Sequence, residues 1–397
     1  MMKKILSLMA VAAVSAMALF ANGNSEQVSS YKLGFIGPLT GDYANYGVLC
    51  NNAVQLAAEK FNAAGGINGV PVEIIAEDSE GNNEKALSAI EKLSSSDKIL
   101  GLLGPVFTGS TFAVGERCQN EQIVLITPSA THADITKIGD YIFRTVVSDG
   151  LQGEVAGYYF HDYLGYKKLA VLYAKNDYSQ GLYKSMSATF EKLGGEIIAA
   201  ESCQVGDKDF KTQLTKIKAK NPDAIYIPDY TVEMAQILEQ ASQLGITAPF
   251  LSCDGFSNPE IYNLAGNFTD GVIYVGPAKV EASDAYTKFV EEYNAKYNVK
   301  PDSFATNAYD AANIMMEALK DCVADASFAK DSLAKKRIAL RDGVAATKDF
   351  LGVSGTVNFA SNGDLVAYQG IYKVNGTTPE YLGAYSVQDG KLVKVSE

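Results

Sequence analysis

The chain has 397 residues, 47% of them hydrophobic and 20% charged, with a net charge of −12. That length and balance fit a folded protein of two lobes or domains. The acidity excludes the basic footprint of a nucleic-acid binder and a surface held to anionic membranes by charge.

The first element is not expected to belong to the fold. Lys3 and Lys4 precede an apolar stretch, Ile5–Phe20, then the small residues of Ala16-Met17-Ala18 and Ala21 and the polar run Asn22–Gln27. This is the pattern of a secretory signal peptide, taken as residues 1–23, which predicts an exported mature protein. No Cys stands at the cleavage region to receive a lipid anchor. Five cysteines, Cys50, Cys118, Cys203, Cys253 and Cys322, are scattered and odd in number, so no zinc motif is present and at least one thiol is unpaired in a monomer.

Short apolar strands then alternate with amphipathic helices. Strands are predicted at Tyr31–Gly37, Val70–Ala76, Ile99–Leu103 and Ile123–Ile126, with helices at Gly47–Ala64, Glu84–Leu93 and Ser110–Glu121 between them. The Gly65-Gly66 pair ends the first helix. A second series follows Tyr141–Arg144: helix Gln152–Tyr163, strand Lys168–Tyr173, helix Gly181–Leu193, strand Glu196–Ala200, helix Phe210–Lys218, strand Ala224–Ile227, helix Glu233–Leu244 and strand Pro249–Leu251. After Val272–Val275 come helices at Asp284–Tyr297, Thr306–Cys322 and Lys330–Val344, then a Gly- and Thr-rich tail with short strands such as Ala367–Val374. Such alternation is the signature of α/β units with parallel sheets. Two similar halves with a helical stretch and a β tail left over suggest a chain that crosses between lobes three times, near Val147–Asp149, Gly276–Ala278 and Leu351–Gly355. The expected lobes are residues 28–147 with 277–351, and 148–276 with 352–397.

Ligands of open α/β sheets bind beyond the carboxyl ends of strands, and two such ends have nearly the same chemistry. Ile99–Leu103 opens into Gly104-Pro105-Val106-Phe107-Thr108-Gly109-Ser110-Thr111, and Ile123–Ile126 into Thr127-Pro128-Ser129-Ala130-Thr131. Hydroxyls at helix N-termini make a neutral seat for a carboxylate. A third strand-end carries Gly37-Pro38-Leu39-Thr40-Gly41 with Tyr46, and the second half adds Tyr178, Tyr230 and Asp254. Asp254, between a buried strand and Gly255, fits a ligand ammonium, and equally a turn or helix cap. The tyrosines fit an apolar side chain or simple packing, and Thr108, Ser129 and Thr131 fit ordinary caps. Together the set is complementary to an α-amino acid. Only His132 and His161 are present, and no hydrolase, metal or phosphate-loop motif occurs, so neither catalysis nor a cofactor or metal is expected.

These motifs resemble the periplasmic substrate-binding proteins of branched-chain amino-acid ABC transporters, which share the type I periplasmic binding fold. The resemblance spans nearly the whole mature chain and rests on Gly37–Gly41, Phe61-Asn62-Ala63-Ala64-Gly65-Gly66-Ile67-Asn68-Gly69, Ile126–Thr131, Phe143-Arg144-Thr145, Leu151-Gln152-Gly153, Gly206-Asp207-Lys208-Asp209-Phe210 and Glu233–Leu238. It implies two Rossmann-like lobes joined by three hinge strands that close over an amino acid, the motion known for periplasmic binding proteins. It also implies a monomer in the periplasm that docks on a membrane permease. Thr108, Ser129, Thr131 and the Ala130 backbone would hold the carboxylate, Asp254 and Tyr230 the ammonium, and Tyr46 and Tyr178 the side chain. Two departures stand out. Leucine binders usually have Glu at Asp254, and some have a disulfide where Phe107 stands, with no partner Cys here near Ser79. Relatives of similar pattern bind amides, urea or aromatic acids, and a chemosensory role would use the same pocket.

Overall fold

The computed structural model describes residues 28–280 and 283–396; the expected signal peptide lies outside them. Two parallel sheets form the frame. In the first, β1 (Tyr31–Gly37), β2 (Val72–Asp78), β3 (Gly101–Leu103), β4 (Val124–Thr127) and β5 (Ile142–Arg144) lie in the order β2-β1-β3-β4-β5. In the second, β6 (Lys168–Ala174), β7 (Glu196–Cys203), β8 (Ala224–Tyr226), β9 (Phe250–Ser252) and β10 (Ile273–Pro277) repeat that order as β7-β6-β8-β9-β10. Each sheet reverses its winding beside its first strand, between β1 and β3 and between β6 and β8. The loops leaving those strands splay apart and leave a crevice.

The helices α1 (Ala44–Ala63), α2 (Asn83–Ser95) and α3 (Thr108–Asn120) connect the first sheet. The second is connected by α4 (Asp149–Tyr158), α5 (Asp177–Lys192), α6 (Lys211–Lys220) and α7 (Thr231–Gln243), with the short α8 (Glu260–Ala265) beyond β9. Helices α9 (Asp284–Tyr297), α10 (Ser303–Ala324) and α11 (Leu333–Ala345) return to the first lobe. Tyr293 and Tyr297 donate to the carbonyls of Leu49 and Asn52 on α1, and Arg337 of α11 donates to the Ile99 carbonyl. Met315 of α10 packs so closely on β3 that a Cβ at Gly101 would stand 2.6 Å from its sulfur. The small residue at 101 is what lets the helix reach the sheet.

A hairpin of β11 (Phe350–Gly352) and β12 (Gly355–Val357) follows, and β13 (Gln369–Asn375), β14 (Thr378–Gln388) and β15 (Lys391–Ser396) extend the second sheet antiparallel from β10. Phe359, Gly363 and Asp364, in the stretch expected with the second lobe, contact β5 of the first. Arg144, fully buried, donates through Nε to Asp364 at 2.7 Å, and its backbone N–H reaches the Gly363 carbonyl. A buried guanidinium needs a carboxylate, and Asp364 supplies one in direct contact; that pairing holds the segment on β5. Asp310 of α10 anchors the same region by accepting from the N–H groups of Val353 and Ser354 at 2.8 and 2.7 Å.

All five cysteines are free thiols; four are buried and Cys322 is half-buried. Among the described residues no helix is long and apolar enough to cross a membrane.

Candidate ligand-binding site

Residues from both lobes converge where the two crevices face each other. The turn from β3 into α3 brings Val106, Phe107 and Thr108; the turn after β4 brings Ser129; α1 brings Tyr46. From the opposite side come Tyr178 in the first turn of α5, Tyr230 before α7, and Asp254 with Gly255 after β9. These surround one cavity of about 10 Å³, room for roughly a single water. Phe304, in the first turn of α10, completes the wall.

The β3–α3 turn owes its shape to Gly104, at φ +94°, where a Cβ would stand 2.5 Å from the Ile36 carbonyl oxygen. Helix α3 starts directly behind it with Phe107 in the capping position, and no side chain caps its N-terminus. The first N–H groups of a helix lack partners inside it and carry partial positive charge. Here they open beside the Thr108 hydroxyl. Tyr230 likewise precedes α7 without capping it by its side chain; there the Thr231 N–H finds the Tyr46 hydroxyl at 3.2 Å.

Asp254 is the opposing charge. It is 3% exposed. Its Oδ1 accepts from the Tyr178 hydroxyl at 2.8 Å and the Gln152 amide at 3.1 Å, while its own N–H donates to Gln152 Oε1 at 2.8 Å. Asp149 lies alongside, buried, with Oδ1 at 3.4 Å from the same Gln152 amide and Oδ2 without a hydrogen-bond partner. Burial pushes Asp254 above the usual carboxylate range, and burial together with the Asp254 charge pushes Asp149 well above it. Among the described residues, no basic side chain is a hydrogen-bond partner of Asp254. A buried carboxylate in that position favours a cation beside it.

The lobes also meet along the rim of the cleft. The Tyr43 hydroxyl donates to Glu233, Tyr46 Oη lies 2.6 Å from Thr231 Oγ1, and Asn45 donates to Asn258 at 2.9 Å. Glu233 is fully buried and pushed above the usual carboxylate range by that burial.

Of the residues singled out in the sequence, Tyr46, Phe107, Thr108, Ser129, Tyr178, Tyr230 and Asp254 share the cavity. Ala130 and Thr131 are buried but are not among its lining residues. The Ala130 N–H donates to Thr127 Oγ1 at 3.0 Å, and the Thr131 carbonyl accepts from Arg144 and from the Asp149 N–H. The sequence reading missed Phe304, Asp149 and the role of Gln152 against Asp254. Asp302, an acidic residue three before the Ala305 N–H it caps, is the signal that places Phe304 in a helical first turn.

The family model described as "Periplasmic binding protein" matches residues 30–377. The chain belongs to the periplasmic binding protein family. A Leu/Ile/Val-binding protein homologue of Brucella melitensis is 30% identical over 91% of this chain and 94% of its own length. A leucine-, isoleucine-, valine-, threonine- and alanine-binding protein of Pseudomonas aeruginosa is 31% identical, covering 78% of this chain and 82% of its own. Among solved structures, the branched-chain amino acid transporter substrate-binding protein of Streptococcus pneumoniae, in complex with isoleucine, superposes with a TM-score of 0.80 at 31% identity, covering 92% of this chain and 99% of that one. Periplasmic binding proteins of type I have the two-lobed α/β architecture described above, and the cavity here lies between the lobes.

Proposed function

We propose that this periplasmic binding protein captures an aliphatic α-amino acid of the branched-chain class by closing its lobes, and presents it to the permease of an ABC importer. The protein acts as an exported, monomeric receptor in the periplasm and catalyses no reaction. In this reading the ligand carboxylate lies at the uncapped N-terminus of α3 with the hydroxyls of Thr108 and Ser129. The ammonium lies against Asp254, and the side chain among Tyr46, Tyr178, Tyr230 and Phe304. Ala130 and Thr131 support Ser129 from behind. The lobes comprise residues 28–147 with 277 to about 366, and 148–276 with the remaining strands, so that closure is a rotation about the three crossings.

The observation that carries this reading is Asp254: a buried carboxylate held by two neutral donors, Tyr178 and Gln152, facing a helix N-terminus across a cleft. That arrangement matches the two charges of a zwitterion. Charge-assisted hydrogen bonds contribute about 1.5–3 kcal/mol each, so three or four suffice for the ~8 kcal/mol of micromolar binding once ordering is subtracted. The names of the relatives favour leucine, isoleucine and valine. A thermal-shift screen of the twenty amino acids and their amides tests it. A rise in melting temperature with aliphatic amino acids is expected; the absence of a shift with all of them overturns the assignment.

A further inference from the structure

Another cavity, of about 590 Å³, lies beside the first, where β10 runs out toward α9. Small-molecule sites usually enclose about 300–1,000 Å³. Its walls come from two parts of the fold. Tyr274 of β10, Tyr372 of β13 and Tyr381 of β14 stand on the second sheet; Tyr286 of α9 and Asp302, which caps α10, belong to the helices that return to the first. A thin layer of chain separates it from the interlobe cavity. The Ser257 hydroxyl donates to the Asp254 carbonyl at 2.6 Å and lies 3.4 Å from the hydroxyl of Ser303, the residue before Phe304.

The rings form an apolar wall with electron-rich faces. Tyr274 and Tyr372 stack at 4.8 Å and 7°, and Tyr372 meets Tyr381 at 5.2 Å and 53°. The Tyr372 hydroxyl donates to the Pro277 carbonyl at 2.8 Å, but the buried Tyr381 hydroxyl has no partner. Asp302 is 7% exposed. Its Oδ1 accepts from the Ala305 N–H at 2.8 Å, while its Oδ2 is buried without a hydrogen-bond partner. Burial raises its pKa to about 6, which leaves it ionised at neutral pH. A buried charge left unmatched is unfavourable and gains from a counter-charge. Lys279, also at this cavity, is exposed and already solvated, so the carboxylate is the group a ligand would stabilise.

We propose that this cavity is a second ligand site, one that takes a small protonated amine with an aromatic or apolar body. The ammonium lies against Asp302, and the body lies among the tyrosines, whose ring faces attract cations and apolar groups alike. The site is built from residues apart from the amino-acid cavity and does not depend on that reading.

Calorimetric titration with 2-phenylethylamine tests it, because this probe has the ammonium and the ring but no carboxylate. The wild type is expected to bind it saturably. Asp302→Asn should weaken that binding tenfold or more with the melting temperature unchanged, since Asn caps a helix as well as Asp does. Tyr286→Ala, at a half-buried position, removes one ring without touching the cap and should weaken it at least threefold. Asp254→Ala should leave it in place. Absence of saturable binding to the folded wild type, or a change of less than threefold in Asp302→Asn, overturns the proposal. Loss of binding in Asp254→Ala also overturns it, by placing the amine in the interlobe cavity.

Discussion

Asp254 and Asp149 stand side by side with a single amide, Gln152, between them. Both are held above the ordinary carboxylate range by burial, and Asp149 further by its neighbour. A raised pKa means that the folded protein holds these protons at a pH where the unfolded chain has released them. The pair therefore favours the folded state at low pH, and that contribution is lost as pH rises through the raised values. An ammonium needs the ionised form, so ligand binding expels a proton, and affinity should fall as the pH is lowered through the same window. Titrations at slightly acidic pH in two buffers of different ionisation enthalpy should give apparent binding enthalpies that differ by the proton released; identical enthalpies would contradict the coupling. Replacing Asp254 with Ala should weaken binding by roughly 2–5 kcal/mol, because the ligand ammonium is left unpaired in a desolvated site; unchanged affinity by calorimetry removes Asp254 from the site. Asp254 itself was legible in the sequence, as a lone acid between a buried strand and a glycine. Its partners were not. Asp149 and Gln152 sit in the first turn of α4, which begins at Asp149 rather than at Gln152, because the apolar periodicity that reveals a helix sets in only after its opening turn.

The same offset recurs in the helices that flank the cleft. Helix α5 starts at Asp177 and α7 at Thr231, whereas the apolar pattern starts at Gly181 and Glu233. First turns supply cavity-lining groups such as Thr108, Tyr178 and Phe304, so the part of each helix that reaches the candidate site is the part that hydrophobic patterning describes least well. Caps repair some of this. Ser148 accepts from the Gly150 N–H and Asn176 from the Ser179 N–H at 2.7 Å, both in the usual manner of N-caps. At α3 and α7 that signal is absent, since an aromatic residue stands in the capping position. Asn176 precedes Tyr178 by two residues, so its loss reaches the site. Asn176→Ala should cost about 1 kcal/mol of stability, seen as a lower melting temperature, together with weaker ligand binding as Tyr178 loses its fixed position. A variant with a lowered melting temperature and unaltered affinity would show that the cap serves α5 alone.

Over the whole molecule, the alternation of strands and helices made both sheets legible, and the repeated winding follows from it. The contact of the segment after β12 with β5 rests on a tertiary pairing, Arg144 with Asp364, that no local pattern announces. The rim contacts are of the same kind: Tyr43 and Glu233 are far apart in sequence and meet only when the lobes do. Glu233 also accepts from the Gly206 N–H at 2.9 Å, while its Oε2 has no partner. Tyr43→Phe removes a donor from this buried carboxylate. It should weaken ligand affinity by about 1–1.5 kcal/mol and expand the loaded protein measurably in small-angle scattering; an unchanged radius and affinity would show that the rim bond does not favour closure. Ligand at a hundred times its Kd should stabilise the wild type by ~2.7 kcal/mol.

The order in which the chain is made gives the return of α9–α11 to the first lobe a further meaning. Strands β1, β3 and β4 are synthesised early, but the helices that cover one of their faces come only after the entire second lobe through β10. Until Met315 and Arg337 have emerged, that face is covered by α1 alone, and no contiguous N-terminal fragment can complete its core. Domains ordinarily fold in turn as they are synthesised; here the first has to wait for the third pass of the chain. A nascent chain built this way keeps its first lobe incomplete until late in synthesis, which favours the unfolded condition a polypeptide must keep if it is to be threaded through a narrow export channel.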